Sequence, residues 1–209
     1  MVPTKKDFEK IMIERHTKNV YNKLKLSAVA IAGLGGLGSN VAIALARAGI
    51  GHLHLVDFDK VDISNLNRQQ YSIKHIGLYK TEALKSIINE INPYIEITYD
   101  TVKVTEDNVK ILFKQYTYIC EAFDSPEAKA MLINSLPLSE KKIVAASGMA
   151  GYLSSNTIVT RKITNNFYLC GDGVTDSQDV NGLMAPRVMI CAAHEANQIV
   201  RLILGEEEV

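Results

Sequence analysis

Apolar positions recur along this chain with two periods, and the way those periods alternate predicts the fold. Residues 5–25 carry charges at helical spacing and predict a leading helix. Ser27-Ala-Val-Ala-Ile-Ala32 is too short for a helix and nonpolar on both faces, as expected of a strand buried inside a parallel sheet. Ser39–Ala48 reads as a small-residue helix stopped by Gly49 and Gly51, and His52–Val56 as a second strand ending at Asp57. Thr81–Ile91 is an amphipathic helix ended by Asn92-Pro93, and Ile95–Val104 alternates like a strand. A helix over Glu106–Tyr116 and a strand over Tyr118–Ala122 follow. Ser125 is placed to cap a helix reaching Ser135, with Pro126 at its first position, ahead of a strand at Lys142–Ala146.

The C-terminal part changes character. Ser155–Ile163 and Asn166–Cys170 predict the two strands of a hairpin, Gly171–Arg187 a loop without periodicity, and Val188–Leu204 a closing helix. Loops of that length inside a compact domain are usually functional or mobile. The fold class expected is therefore α/β: a doubly wound, mostly parallel sheet with a C-terminal antiparallel hairpin and a closing helix. At 209 residues the chain is expected to be one domain, divided into a leading helix (1–26), a core (27–150) and a tail (151–209).

Composition narrows the classes of function. Lys+Arg and Asp+Glu both number 23, so there is no net charge and no reason to expect a strongly basic nucleic-acid binder. No apolar run nears the roughly 18 residues that span a bilayer, and Met1–His16 lacks the apolar core of a secretory signal. A soluble cytoplasmic protein is expected. Cys120, Cys170 and Cys191 are widely spaced with no C-x-x-C pair, which predicts reduced thiols and no zinc, and the histidines lack metal-binding spacing.

The strongest chemical signal is Gly33-Leu-Gly35-Gly36-Leu-Gly38-Ser39, between the first strand and the following helix. Glycines there allow a tight turn and close approach to a phosphate, and the helix N-terminus offers unpaired N–H groups to the anion. Asp57, at the end of the next strand, is placed to accept from ribose hydroxyls. This fingerprint does not choose between NAD, FAD and ATP. Downstream stand Asp59, Ser64-Asn65-Leu-Asn67-Arg68-Gln69 and Lys80. In a helical turn Asn65 and Arg68 would share a face, and Arg68 and Lys80 would either grip a polyphosphate or stand as solvated surface cations. Asp124 emerges at the carboxyl end of the strand Tyr118–Ala122, where it would ligate Mg²⁺ beside phosphate or help to cap the next helix, a task Ser125 can perform.

In this order the motifs resemble those of the ThiF/MoeB/HesA family, bacterial relatives of ubiquitin-activating enzymes, and are most similar to ThiF-type sulfur-carrier adenylyltransferases. The resemblance extends over residues 15–205. It implies a Rossmann-like domain that binds ATP and magnesium, with Gly33, Gly35, Gly36, Gly38, Ser39, Asp59 and Gln69 in the nucleotide site. Asp57 would hold the ribose; Asn65, Arg68 and Lys80 would hold the phosphates; Asp124 would be the Mg²⁺-binding, catalytically required acid. Arg15 would reach the phosphates of the partner subunit's site in a homodimer. The implied reaction is attack of the C-terminal glycine carboxylate of a ubiquitin-fold sulfur carrier ending in Gly-Gly (ThiS-like) on the α-phosphate of ATP, releasing pyrophosphate, in thiamine thiazole formation. A cysteine desulfurase is a further implied partner; nucleic acid and membrane are not.

Relatives with paired C-x-x-C motifs hold zinc; this chain, lacking them, is expected not to. Cys170 is the candidate for a covalent link to the carrier, or else a buried core residue like Cys120 and Cys191. The long loop, with Asp172, Asp176 and Asp179 before Met184-Ala-Pro186-Arg187, would cover the carrier's tail or be a simple crossover. Activation of a molybdopterin-type carrier, of a small molecule or of a tRNA-borne carboxylate is an alternative within the same chemistry. From other classes, an NAD(P)-dependent dehydrogenase and a non-catalytic scaffold stay open.

Overall fold

The computed structural model describes residues 3–175 and 182–209. In chain order the elements are α1 (Lys5–His16), α2 (Lys18–Lys25), β1 (Ala28–Ala32), α3 (Gly36–Ala48), β2 (His52–Val56), α4 (Lys80–Ile91), β3 (Glu96–Asp100), α5 (Val109–Leu112), β4 (Tyr118–Glu121), α6 (Pro126–Ser135), β5 (Lys142–Ala146), β6 (Val159–Thr164), β7 (Phe167–Gly171) and α7 (Ala185–Leu204). The strands form one sheet in the order β3-β2-β1-β4-β5-β7-β6. Every neighbouring pair is parallel except the β6–β7 hairpin at the edge. The expected doubly wound α/β sheet, hairpin and closing helix are all present.

The absence of polar alternation in β1 has a direct cause. Val29 and Ile31 pack on one face with Val41 and Leu45 of α3 and Cys191, Ala192 and Ile199 of α7. Ala30 and Ala32 pack on the other with Val109, Phe113, Leu132 and Leu136. Both faces are core, so both were written in apolar residues. Strand order reverses between β1 and β4, and their carboxyl ends therefore open the crevice where α/β sheets bind ligands.

Several boundaries differ from the sequence reading. The leading helix is two helices, because Thr17 takes φ 74° and breaks the ladder between α1 and α2. They serve different surfaces: α2 buries Tyr21 and Leu24, whereas α1 meets Tyr94 through Phe8. The helix expected over 106–116 shrinks to α5, where Asn108 uses its side chain to accept from the Thr105 N–H and donate to the Lys103 carbonyl. β3 ends at Asp100. Ser154 and Thr157 make local side-chain turns that delay β6 until Val159, and α3 begins at Gly36 rather than Ser39.

The buried His54 is expected to make stability depend on pH. His54 of β2 stacks on Tyr116 at 4.8 Å, its Nδ1 lies 2.9 Å from the Thr98 hydroxyl, and its Nε2 lies 3.4 Å from the Asp100 carboxylate. Burial lowers its pKa from 6.5; Asp100 opposes that shift and His52 adds to it. A group that resists protonation in the fold contributes stability above its ordinary pKa and loses it as pH falls below that value. The melting temperature should therefore drop between about pH 7 and about pH 5, and His54→Phe, which keeps the stack, should flatten that drop. An unchanged slope in the variant would refute the assignment.

Candidate nucleotide site

The glycine turn is built by close approach. The Gly33 N–H donates to the Val56 carbonyl at 2.9 Å, and φ at Gly33 is +91°. A Cβ there would sit 2.7 Å from the Ala122 carbonyl oxygen, so β4 and the turn touch through backbone. A Cβ at Gly38 would lie 1.8 Å from the Gly33 carbonyl oxygen; only glycine lets α3 start this close to β1. Gly35 caps α3 and Gly36 opens it.

Asp57, Arg68 and Gln69 meet this turn from separate elements, whereas Lys80 and Asn65 have partners elsewhere. Asp57, buried at the end of β2, accepts from the Leu34 N–H at 2.7 Å and from the Asp59 N–H at 2.8 Å. Burial pushes its carboxyl up, opposed by the positive charge of Lys80 and by those two N–H groups. Lys80 opens α4, is 6% exposed, and places its ammonium 2.7 Å from the Asp59 carboxylate. In place of a helical turn over 64–69 stands a single 3₁₀ turn over Ile63–Asn65, after which the Arg68 N–H donates to the Asn65 carbonyl at 3.2 Å. The Asn65 side chain is committed to the Asp62 N–H.

The segment after that turn is tied to α3. Ser39 Oγ donates to the Gly35 carbonyl at 2.7 Å and accepts from the Gln70 N–H at 3.1 Å, so this hydroxyl joins segments. Asn40, not anticipated from sequence, donates to the Gly36 and Arg68 carbonyls at 2.6 and 3.1 Å. The Tyr71 hydroxyl donates to the Leu34 carbonyl at 2.9 Å. These bonds lay Gln69 beside Gly35 and the Arg68 stem beside Gly36. Gln69 is buried, and its Oε1 has no hydrogen-bond partner among the described residues. Arg68 donates from Nη1 to the Ser64 carbonyl and the Asn67 side chain.

Asp124 is exposed on the loop after β4, two residues beyond Ala122, and Ser125 does cap α6, accepting from the Ala128 N–H. The loop's root is held by Glu121, fully buried and 3.1 Å from the Lys129 ammonium. Sequence reading missed this pair; an acid ending an otherwise apolar strand was the available signal. Glu195 of α7 is also fully buried, with burial pushing its carboxyl well up.

Other candidates lie elsewhere. Arg15 is exposed on α1, whose contacts through Phe8 and Met12 are with Tyr94 and Gly49; no described contact brings it to this chain's glycine turn. Cys170 is wholly buried in β7, 3.6 Å from the Thr160 hydroxyl, and burial pushes its thiol up to about 12. A buried thiol pushed up in this way is a poor nucleophile, which suits the core reading of Cys170. Asp176 and Asp179 lie outside the described residues. Asp172 and Arg187, at the ends of the long loop, form a buried ion pair that the sequence reading did not foresee. Beside it a groove of about 390 Å³ is lined by Tyr152, Leu153, Met184, Pro186 and Ile190 among others. It adjoins the glycine turn, since Asn67 donates to the Leu183 carbonyl and Val188 covers Gly36.

A helix N-terminus opening on a glycine turn and a buried acid beside it, meeting at a switch point, form the arrangement seen in nucleotide-binding α/β domains. More narrowly, residues 9–209 match the ThiF family, and the chain belongs to it. Adenylyltransferase and sulfurtransferase MOCS3 of Aedes aegypti is 30% identical over 204 residues, covering 90% of this chain and 44% of the relative. Adenylyltransferase and sulfurtransferase UBA4 of Saccharomyces cerevisiae is 31% identical over 191 residues, covering 88% and 43%. The chain thus spans less than half the length of these curated relatives. Among solved structures, E. coli tRNA N6-threonylcarbamoyladenosine dehydratase TcdA in complex with ATP superposes with TM-score 0.86 at 21% identity, covering 99% of this chain and 98% of that one. E. coli MccB with AMPCPP and MccA gives 0.69 at 24% identity, covering 90% and 59%. Among the described residues no helix is long and apolar enough to cross a membrane.

Proposed function

We propose that this chain is an ATP-dependent adenylyltransferase acting on the C-terminal glycine carboxylate of a ubiquitin-fold sulfur carrier, with thiamine thiazole formation as its setting and a cysteine desulfurase as the sulfur source. The observation that carries this reading is the convergence of Asp57, Arg68, Gln69 and the β4–α6 loop on the Gly33–Gly36 turn, with Lys80 held by Asp59, two residues past Asp57. Membership of the ThiF family supports the same chemistry.

In this reading the turn and the α3 N-terminus receive phosphate, Asp57 receives the ribose, and Arg68 and Lys80 offset negative charge. Asp124 fits a magnesium site: an exposed carboxylate on the loop whose Ala122 carbonyl abuts Gly33. Magnesium, when bound, would neutralise charge on phosphate oxygens. The carrier carboxylate is already anionic at neutral pH and needs no base. Its oxygen bonds to the α-phosphorus as the bond to the leaving pyrophosphate breaks, leaving an acyl-adenylate. The protein's part is alignment and charge, not covalent chemistry. The groove beside Arg187 is where we place the carrier's tail, and Arg15 would act in a homodimer on the partner subunit's phosphates.

The test is ATP–pyrophosphate exchange with and without a carrier ending in Gly-Gly. Exchange that requires the carrier and disappears when its last glycine is deleted is expected. The TcdA likeness favours a second reading, a tRNA-borne carboxylate, which predicts that tRNA and not the carrier stimulates ATP consumption. NAD reduction without exchange would overturn both.

A further inference from the structure

The site leaves open what fixes Asp124, an exposed side chain whose position is set by its loop. The Ala122 N–H anchors the loop's start to the Ala32 carbonyl at 2.8 Å. The next N–H, of Phe123, donates at 2.8 Å to Oε1 of Glu121. The ammonium of Lys129, in the first turns of α6, reaches the same carboxylate at 3.1 and 3.3 Å, while the Lys129 N–H donates to the Ser125 carbonyl at 3.0 Å. One carboxylate therefore ties the strand before the loop, the loop backbone and the helix behind it. The tie is made away from water: the Glu121 side chain is 0% exposed and that of Lys129 20%.

A buried ion pair is weak evidence of stabilisation, since apolar residues of similar volume often hold a fold as well. What it supplies here is direction. Oriented hydrogen bonds to a charged acceptor fix the loop backbone in a way that apolar packing does not. The loop they fix is the one whose Ala122 carbonyl meets Gly33, so its position sets the distance between Asp124 and the glycine turn.

We propose that Glu121 and Lys129 are positioning residues for Asp124: their buried pair clamps the Ala122–Ser125 loop and fixes where the acid is presented beside the glycine turn. The proposal rests on the assignment of Asp124 to magnesium made above. The experiment compares the full chain carrying Glu121→Gln, Lys129→Met, Lys129→Arg or Asp124→Asn. Calorimetry gives Mn²⁺ affinity in the presence of a non-hydrolysable ATP analogue, and the analogue's affinity without metal. Glu121→Gln and Lys129→Met should weaken Mn²⁺ binding by about tenfold, as loss of partners behind a metal ligand does, with metal-free nucleotide affinity unchanged. Lys129→Arg should retain wild-type metal affinity. Amide hydrogen exchange of the loop in the free protein should rise in the two weakened variants and not in Lys129→Arg. Wild-type metal affinity in folded Glu121→Gln and Lys129→Met, with Asp124→Asn impaired, overturns the clamp and leaves the magnesium assignment standing. Wild-type metal affinity in Asp124→Asn removes the assignment and the clamp with it. Should Glu121→Gln fail to fold, Lys129→Met, altering a partly exposed side chain, decides.

Discussion

Replacing Lys80 by methionine is expected to lower carrier-dependent ATP–pyrophosphate exchange by on the order of a thousandfold in a protein that still folds. Lys80 is 6% exposed, so its charge acts from a region poor in water, where it is worth more than a surface cation. Its partner Asp59 has a side chain 47% exposed, so removing the ammonium leaves a carboxylate that water can solvate rather than a buried unpaired charge. Methionine fills the path of the lysine stem. Arginine should not restore activity, because a planar guanidinium does not fit a slot shaped around an ammonium. The variant carries a second signature: burial raises the Asp57 pKa and Lys80 opposes it, so without Lys80 the acid rises further. Binding that requires ionised Asp57 should then weaken more on the acid side than at neutral pH, and at a higher pH than in the wild type. Exchange within about tenfold of wild type, in a variant with a normal melting curve, would remove Lys80 from the phosphate grip.

What the sequence discloses, and what it hides, follows from how far each signal travels along the chain. The Gly33–Ser39 turn, the acid ending β2 and the Ser125-Pro126 cap are written in a few adjacent residues, because backbone geometry is a local matter. Arg68 and Lys80 are legible as candidates, but their surroundings are not: the bond from Lys80 to Asp59 spans 21 positions. Ser39 shows the difficulty most sharply. Its place after the glycines suggests a ligand-facing hydroxyl, yet it donates to the Gly35 carbonyl and accepts from Gln70, 31 residues on. The break at Thr17 was hidden too, since it arises from two helices docking on different surfaces and not from a helix-breaking residue. Cys170 borders a long loop in the sequence, but in the fold it is wholly buried, and that burial, with the nearby buried Glu195, pushes its thiol up while the Thr160 hydroxyl opposes the shift. Glu121 and Lys129 are only eight positions apart, and the missing information there was burial.

The same kind of hidden pairing carries the second large effect. Arg187→Met is expected to destabilise the protein by about 3 kcal/mol or more, which for a chain of this size lowers the melting temperature by roughly 6–12 °C. Arg187 is 3% exposed and uses both terminal nitrogens: Nη1 donates to the Leu153 and Ser154 carbonyls at 2.8 and 2.7 Å, and Nη2 to the Thr157 hydroxyl at 3.1 Å and to the Asp172 carboxylate, while Nε finds no partner among the described residues. Removing it strands buried acceptors and leaves Asp172 without its cation. Lysine, with a single ammonium, cannot span these acceptors and should recover little. Asp172 also accepts from the Val174 and Thr175 N–H groups at 2.9 Å each and from the Thr175 hydroxyl. Burial raises its pKa, and these bonds with Arg187 outweigh that and hold it below 3.8. A carboxyl held low contributes stability above its ordinary pKa and loses it as pH falls through the lower value, so the wild type should lose more stability in acid than the Asp172→Asn variant does. If the cost in Arg187→Met comes from a stranded charge, adding Asp172→Asn should restore part of the loss, and a double-mutant cycle should show favourable coupling between the positions. Strictly additive losses would mean that the two side chains stabilise the β7 and α7 ends independently, and the ion pair would then be incidental to how this arm is held against the glycine turn.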